Sequence, residues 1–217
     1  MELKLAVLEA GSRAVSVSAK YGTVLDDINR MLSPAFNITM SRSFKCYNNL
    51  DIPTVQELNK YDLIVIPGSY LSANATLPWI ERVVKEIVSE EKRRPWLMGI
   101  CFGHHLVARA FGGVISQNPS ARWWESGAKN FTVFNDFVPS TVKSMTHLTC
   151  HTQHVSKMPT VGGFKVWASN AHFYNQGMIS VEKRIITTQF HPDLSKEYFC
   201  GTARIRGADQ SVVDNVM

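Results

Sequence analysis

Leu97-Met98-Gly99-Ile100-Cys101-Phe102-Gly103-His104-His105-Leu106-Val107 is a short apolar run that breaks at a glycine-flanked cysteine and reopens as a helix. That order sets a thiol on a tight strand-to-helix turn, its sulfur above a sheet and a helix N-terminus beneath it. Free backbone N–H groups and the positive end of the helix dipole favour a thiolate there, and the thiolate is the nucleophile. Such a cysteine needs a base. The last third of the chain offers one in Ile185-Ile186-Thr187-Thr188-Gln189-Phe190-His191-Pro192-Asp193.

Outward from Cys101, strand and helix alternate. Lys4 to Glu9 reads as a strand ending at Gly11, Val24 to Leu32 as a helix, and Phe36 to Met40 as a second strand. Tyr61 to Ile66 is a buried strand stopping at Pro67-Gly68-Ser69. Pro78 to Lys92 reads as an amphipathic helix with Ile80, Val83, Val84, Ile87 and Val88 on one face. Pro95 to Ile100 is the next strand, and Gly103 to Phe111 is the helix after it, stopped by Gly112-Gly113. Near-continuous apolar strands alternating with helices predict an α/β fold with a doubly wound, mostly parallel sheet. From Val114 onward, runs such as Phe131-Thr132-Val133-Phe134 and Phe164-Lys165-Val166-Trp167 predict an antiparallel extension. No repeat, low-complexity segment or linker interrupts the chain, so residues 1–217 are expected to form one domain.

Composition bounds the function. At 217 residues and 45% hydrophobic content, the chain can bury a sizeable core. No apolar stretch approaches the roughly 20 residues of a membrane span, and no leader pattern is expected at Met1. Cys46, Cys101, Cys150 and Cys200 lack metal or disulfide spacing, and His147, His154 and His172 form no ligand set with one another. A cytoplasmic enzyme without metal or cofactor is the expectation. Cys46, Cys150 and Cys200 read as buried structural thiols, His104 as a residue on the helix surface, and Trp123-Trp124 as packing. The net charge of +5 is scattered, and Lys92-Arg93-Arg94 reads as a solvated helix end. No nucleic-acid or membrane partner is expected.

In an open α/β sheet, ligands bind beyond the carboxyl ends of the strands. Gly68-Ser69, Cys101 and His191 fall at such ends. His191 and Asp193 are two apart, so in extended backbone they share a side, and Pro192 holds the chain extended. The imidazole can then face Cys101 while the carboxylate supports its far nitrogen. Gly68 reads equally as a plain turn or as part of an oxyanion site.

These residues carry a family resemblance that spans nearly the whole chain. Gly99-Ile100-Cys101-Phe102-Gly103-His104-His105 resembles the Gly-x-Cys-x-Gly-x-Gln nucleophile motif of class I glutamine amidotransferases. Phe190-His191-Pro192-Asp193 resembles their His-Pro-Glu base motif, with Asp for Glu. Ile66-Pro67-Gly68-Ser69-Tyr70 resembles the oxyanion strand of the stand-alone branch, that of GMP-synthase glutaminases and γ-glutamyl peptidases. Trp124-Glu125 and Cys150-His151-Thr152-Gln153-His154-Val155 resemble its substrate-side segments.

The resemblance implies a flavodoxin-like sandwich and attack of Cys101 on a γ-glutamyl amide, giving a thioester that water hydrolyses. It implies His191 as base, Asp193 as its orienter, and an oxyanion site from the N–H of Phe102 with that of Gly68 or Ser69. His105, Trp124, Glu125, His151 and Gln153 are the implied substrate-binding residues. His105 stands where the family usually has glutamine, and Gln153 where it usually has an acid. Free glutamine is therefore expected to turn over poorly, with a gain in His105→Gln. The expected substrate is a small γ-glutamyl or related amide. No phosphate-loop motif is present, and a stand-alone hydrolase is favoured over one feeding ammonia to a separate synthetase partner. Two alternatives stay open: a catalytically altered scaffold or partner-binding protein, and a pathway-specific or redox-sensing relative that reuses the cysteine turn.

Overall fold

The computed structural model describes residues 1–49, 51–88, 90–118, 125–134, 141–205 and 214–216, without the side chains of 203–205. Its frame is a nine-stranded sheet. Five strands run parallel: β1 (Glu2–Leu8), β2 (Asn37–Phe44), β3 (Leu63–Ile66), β4 (Trp96–Ile100) and β11 (Ile185–Thr188), in the order β2-β1-β3-β4-β11. The sheet continues antiparallel from β11 through β10 (Gly177–Ser180), β9 (Lys165–Ser169) and β6 (Glu125–Val133) to β7 (Ser144–His151). Strands β5 (Val114–Gln117) and β8 (Gln153–Lys157) pair separately.

Strand alternation builds two cores. Along β1, Ala6 and Leu8 join Ile64, Ile66 and Leu97 on one face, under α4 (Pro78–Val83) and α5 (Phe102–Ala110). Leu3, Leu5 and Val7 point to the other face, with Val65, Ile100 and the apolar side of α2 (Val24–Leu32). Helix α2 starts at a reciprocal cap, Thr23 accepting from the Asp26 N–H while the Asp26 carboxylate accepts from the Thr23 N–H. The antiparallel half has its own core of Phe131, Val133, Trp167, Ile179 and Phe190.

The parallel sheet, the antiparallel extension and the helix at Val24–Leu32 match the sequence expectation. Four features differ. The helix expected over Pro78–Lys92 is α-helical only to Val83 and continues as one π-helical turn over Val84–Val88. Helices α1 (Val15–Tyr21), α3 (Val55–Leu58) and α6 (Lys196–Ile205) were not anticipated. Arg93 is buried rather than solvated, donating to the carbonyls of Pro95 and Lys183 and so tying the end of that helical segment to the β10–β11 turn. His104 is buried under the sheet, its Nδ1 2.7 Å from Thr187 Oγ1, so it does not face the surface.

Helix α5 lies unusually close to the strands that present the site. A Cβ on Gly103 would fall 2.2 Å from the carbonyl oxygen of Ile66, so only glycine permits this approach.

Candidate active site

Cys101 leaves β4 and caps α5 with φ 51° and ψ −95°, a left-handed conformation that β4 and α5 jointly impose on a non-glycine residue. Its N–H donates to Thr188 at 2.7 Å, which locks the turn to the end of β11. Its carbonyl accepts from the His105 N–H, closing the first turn of α5. The N–H of Phe102 opens that helix without an intrahelical acceptor.

His191 follows β11 and is fixed by backbone pairing with Leu148 on β7, its N–H donating at 2.8 Å. The imidazole Nδ1 lies 3.1 Å from Asp193 Oδ1, and the ring stands within electrostatic reach of the Cys101 sulfur. Aspartate thus reaches the ring despite its shorter side chain, at the long end for a charge-assisted bond. Burial opposes charge on the ring, but the Asp193 carboxylate and the Cys101 sulfur outweigh it and hold His191 well above the ordinary imidazole value. The ring is therefore held in its charged form beside the Cys101 sulfur.

Gly68 completes the cluster. A Cβ there would sit 2.7 Å from His191 Cε1 and 3.7 Å from the Cys101 Cβ, so the β3 turn passes directly over the reacting atoms. Between the two readings left open for Gly68, this contact favours a role in the site. The Ser69 hydroxyl donates to the Ala10 carbonyl at 2.8 Å and accepts from the Leu71 N–H, which shapes the loop over the cavity.

These residues line a cavity of about 440 Å³. Cys101, Phe102, Gly68, Ser69, His191, Asp193, His105, His151 and Gln153 all border it. His105 is buried and uses Nε2 on Gln189 Oε1 at 2.7 Å; burial pushes its pKa down to about 4, so the ring is neutral. His151 Nδ1 meets the Gln153 carbonyl at 2.9 Å, and its Nε2 lies 3.1 Å from Glu125 Oε2, an ion-pair distance without hydrogen-bond alignment. Glu125 is buried behind His151 and does not border the cavity. Burial would raise its pKa, but His151 and the Asn170 amide outweigh this and lower it. Trp123 and Trp124 lie outside the described residues.

Cys150 is half-buried and borders the cavity, unlike the buried structural thiol expected. Among the described residues, no group of His, Cys, Asp and Glu is arranged to hold a metal, and no helix is long and apolar enough to cross a membrane. The sequence reading missed Arg13 and Tyr198, which border the cavity. The only signal was position: Arg13 follows the carboxyl end of β1, the place where such sheets bind ligands.

The family model described as glutamine amidotransferase class-I matches residues 34–199. The chain belongs to the class I glutamine amidotransferase family. Among curated relatives of this family, a glutamine amidotransferase-like protein of Schizosaccharomyces pombe is 30% identical over 135 residues, covering 58% of this chain and 53% of that protein. Gamma-glutamyl peptidase 5 of Arabidopsis thaliana is 27% identical over 154 residues, covering 68% and 59%. A glutamine-hydrolyzing GMP synthase subunit from Saccharolobus solfataricus is 27% identical over 144 residues, covering 64% and 71%. The matches thus span little more than half the length of the first two. A glutamine amidotransferase from Thermotoga maritima shares the fold, with a TM-score of 0.71 at 16% identity over 97% of this chain and 89% of that one. As a class I amidotransferase fold, the chain carries its cysteine turn, its histidine and its glycine loop on three neighbouring parallel strands.

Proposed function

We propose that this amidotransferase-family chain is a cysteine hydrolase or amidotransferase acting on a γ-glutamyl or related amide through a Cys101 thioester. The observation that carries the reading is the cluster of Cys101, His191 and Asp193 beneath the Gly68 turn, with His191 Nδ1 3.1 Å from Asp193 Oδ1. Cys101 Sγ attacks the amide carbon, and the charge that develops on oxygen faces the N–H groups of Phe102 and of Gly68 or Ser69. Each such donor is worth about 3 kcal/mol in comparable sites. His191 gives its proton to the leaving nitrogen as the C–N bond breaks. Water, deprotonated by His191, then attacks the thioester; the C–S bond breaks, and the acid leaves with the thiolate restored. Asp193 holds the ring in register for both transfers.

The relatives' names support γ-glutamyl chemistry. A stand-alone hydrolase is favoured, because the motifs around Gly68, Trp124 and His151 resemble those of the free-standing branch; a separate ammonia-accepting partner is the second arrangement. The compartment proposed is the cytoplasm. Rapid quenching of the purified protein with a panel of γ-glutamyl compounds, read by intact mass, tests the reading. A γ-glutamyl adduct on Cys101 is expected. Turnover that appears only when a second protein is added would favour the partner arrangement, and turnover with no adduct in any quench would exclude the thioester.

A further inference from the structure

The cavity that holds Cys101 and His191 is also bordered by a cation. Arg13, in the loop after β1, borders the cavity with its side chain only 10% exposed. Nη2 donates to Asp27 Oδ2 at 2.5 Å and Nη1 to the Gly22 carbonyl at 2.6 Å. The guanidinium lies over the Tyr198 ring, 4.3 Å from its centroid. A guanidinium has five N–H donors, so two bonds leave donors to spare. Asp27 is shared with Arg30 at 3.0 Å, so it does not serve Arg13 alone, and the Asp26 carboxylate lies within electrostatic reach of both guanidinium groups.

The position of this cation fixes what it can meet. Tyr198 stands within electrostatic reach of Arg13 and Asp27 and also of His191 and Asp193. Arg13 therefore stands on the side of Tyr198 and His191, whereas His151 and Gln153 belong to β7 and β8. His191 delivers its proton to the leaving nitrogen, so the leaving group departs along the His191 wall. A carboxylate carried by that leaving amine comes to the spare donors of Arg13, with Ala14, Val17 and Val24 as an apolar border.

We propose that Arg13, held by Asp27 and stacked on Tyr198, is a leaving-group subsite for a carboxylate. The preferred substrate is then a γ-glutamyl-amino acid or γ-glutamyl peptide whose leaving amine bears an acid, rather than glutamine, which releases only ammonia. This rests on the catalytic reading above. The reaction balances as hydrolysis: the γ-amide C–N bond breaks, the amine leaves with the proton from His191, and water supplies the hydroxyl of the released γ-carboxyl group.

The test compares a γ-glutamyl-amino acid with the same compound carrying a carboxamide in place of the leaving-group carboxylate, and with glutamine. Wild type should prefer the acid by about 10- to 100-fold in kcat/KM, in line with loss of a charge-assisted bond. Arg13→Met should erase that preference, and Arg13→Lys should keep part of it, because charge survives while the fork is lost. Raised ionic strength should weaken the preference in wild type. The wild-type comparison needs no variant, so poor folding of Arg13→Met leaves the test intact. Equal rates for acid and carboxamide, with Cys101 still labelled by a glutamine-like electrophile, overturn the subsite alone. An unlabelled Cys101 brings down the catalytic reading and the subsite with it.

Discussion

At the scale of single residues, the proposed chemistry rests on the charge of His191. The Asp193 carboxylate and the Cys101 sulfur hold its pKa up against burial, and removing either should lower it. Cys101→Ala and Asp193→Asn should each shift the His191 titration downward when followed by NMR. A titration that moves with neither substitution would show that the ring is not coupled to them. His191→Ala should cost about 10²- to 10⁴-fold in turnover, the range for a lost general acid–base group. The nucleophile and the base were legible in the sequence because each is flanked by residues with few alternatives: glycines around Cys101, proline after His191. His104 was misplaced because a histidine on a short, almost wholly buried helix gives no sign of its face; its partner Thr187 is 83 positions away.

At the scale of elements, function depends on how tightly α5 presses onto β3 and β4. Gly103→Ala forces a Cβ against the Ile66 carbonyl, which is backbone and cannot rotate away. Overpacking of this kind costs about 1–3 kcal/mol, so the melting temperature should fall by roughly 2–4 °C per kcal/mol. Labelling of Cys101 should slow as well, since the turn moves with the helix. A variant with unchanged melting and labelling would mean that the close approach is dispensable. The strand–helix alternation was readable from apolar runs, and α2 from its boundaries. Helix α1 escaped because none of its residues is buried, so it carries no apolar stripe to read. The pairing of β7 with β6 places His151 opposite Glu125, a contact that follows from register and not from spacing along the chain.

At the scale of the whole molecule, two buried neutral histidines make stability depend on pH. Burial holds His104 well below the ordinary imidazole value and His105 at about 4. In the unfolded chain both would take up protons near 6.5. The unfolded state then binds more protons than the folded one as pH falls from about 6.5 toward 4, so folding stability is lost across that window. For His105 alone, a shift from 6.5 to about 4 corresponds to about 3 kcal/mol. His191 acts with the opposite sign: its contribution is in place below 6.5 and is lost as pH rises through its folded value. Urea midpoints should therefore drop between pH 6.5 and 4, and His105→Gln should flatten part of that drop. Equal slopes in the two proteins would refute the assignment.

The central claim is that Cys101 is the nucleophile of a site built for a γ-glutamyl amide. Treatment with a diazoketone analogue of glutamine, followed by intact mass and peptide mapping, tests it most directly. One label per chain is predicted on Cys101, none on Cys101→Ala, and slowed labelling when a γ-glutamyl compound is present. Label on Cys46, Cys150 or Cys200, or label that persists in Cys101→Ala, would contradict it.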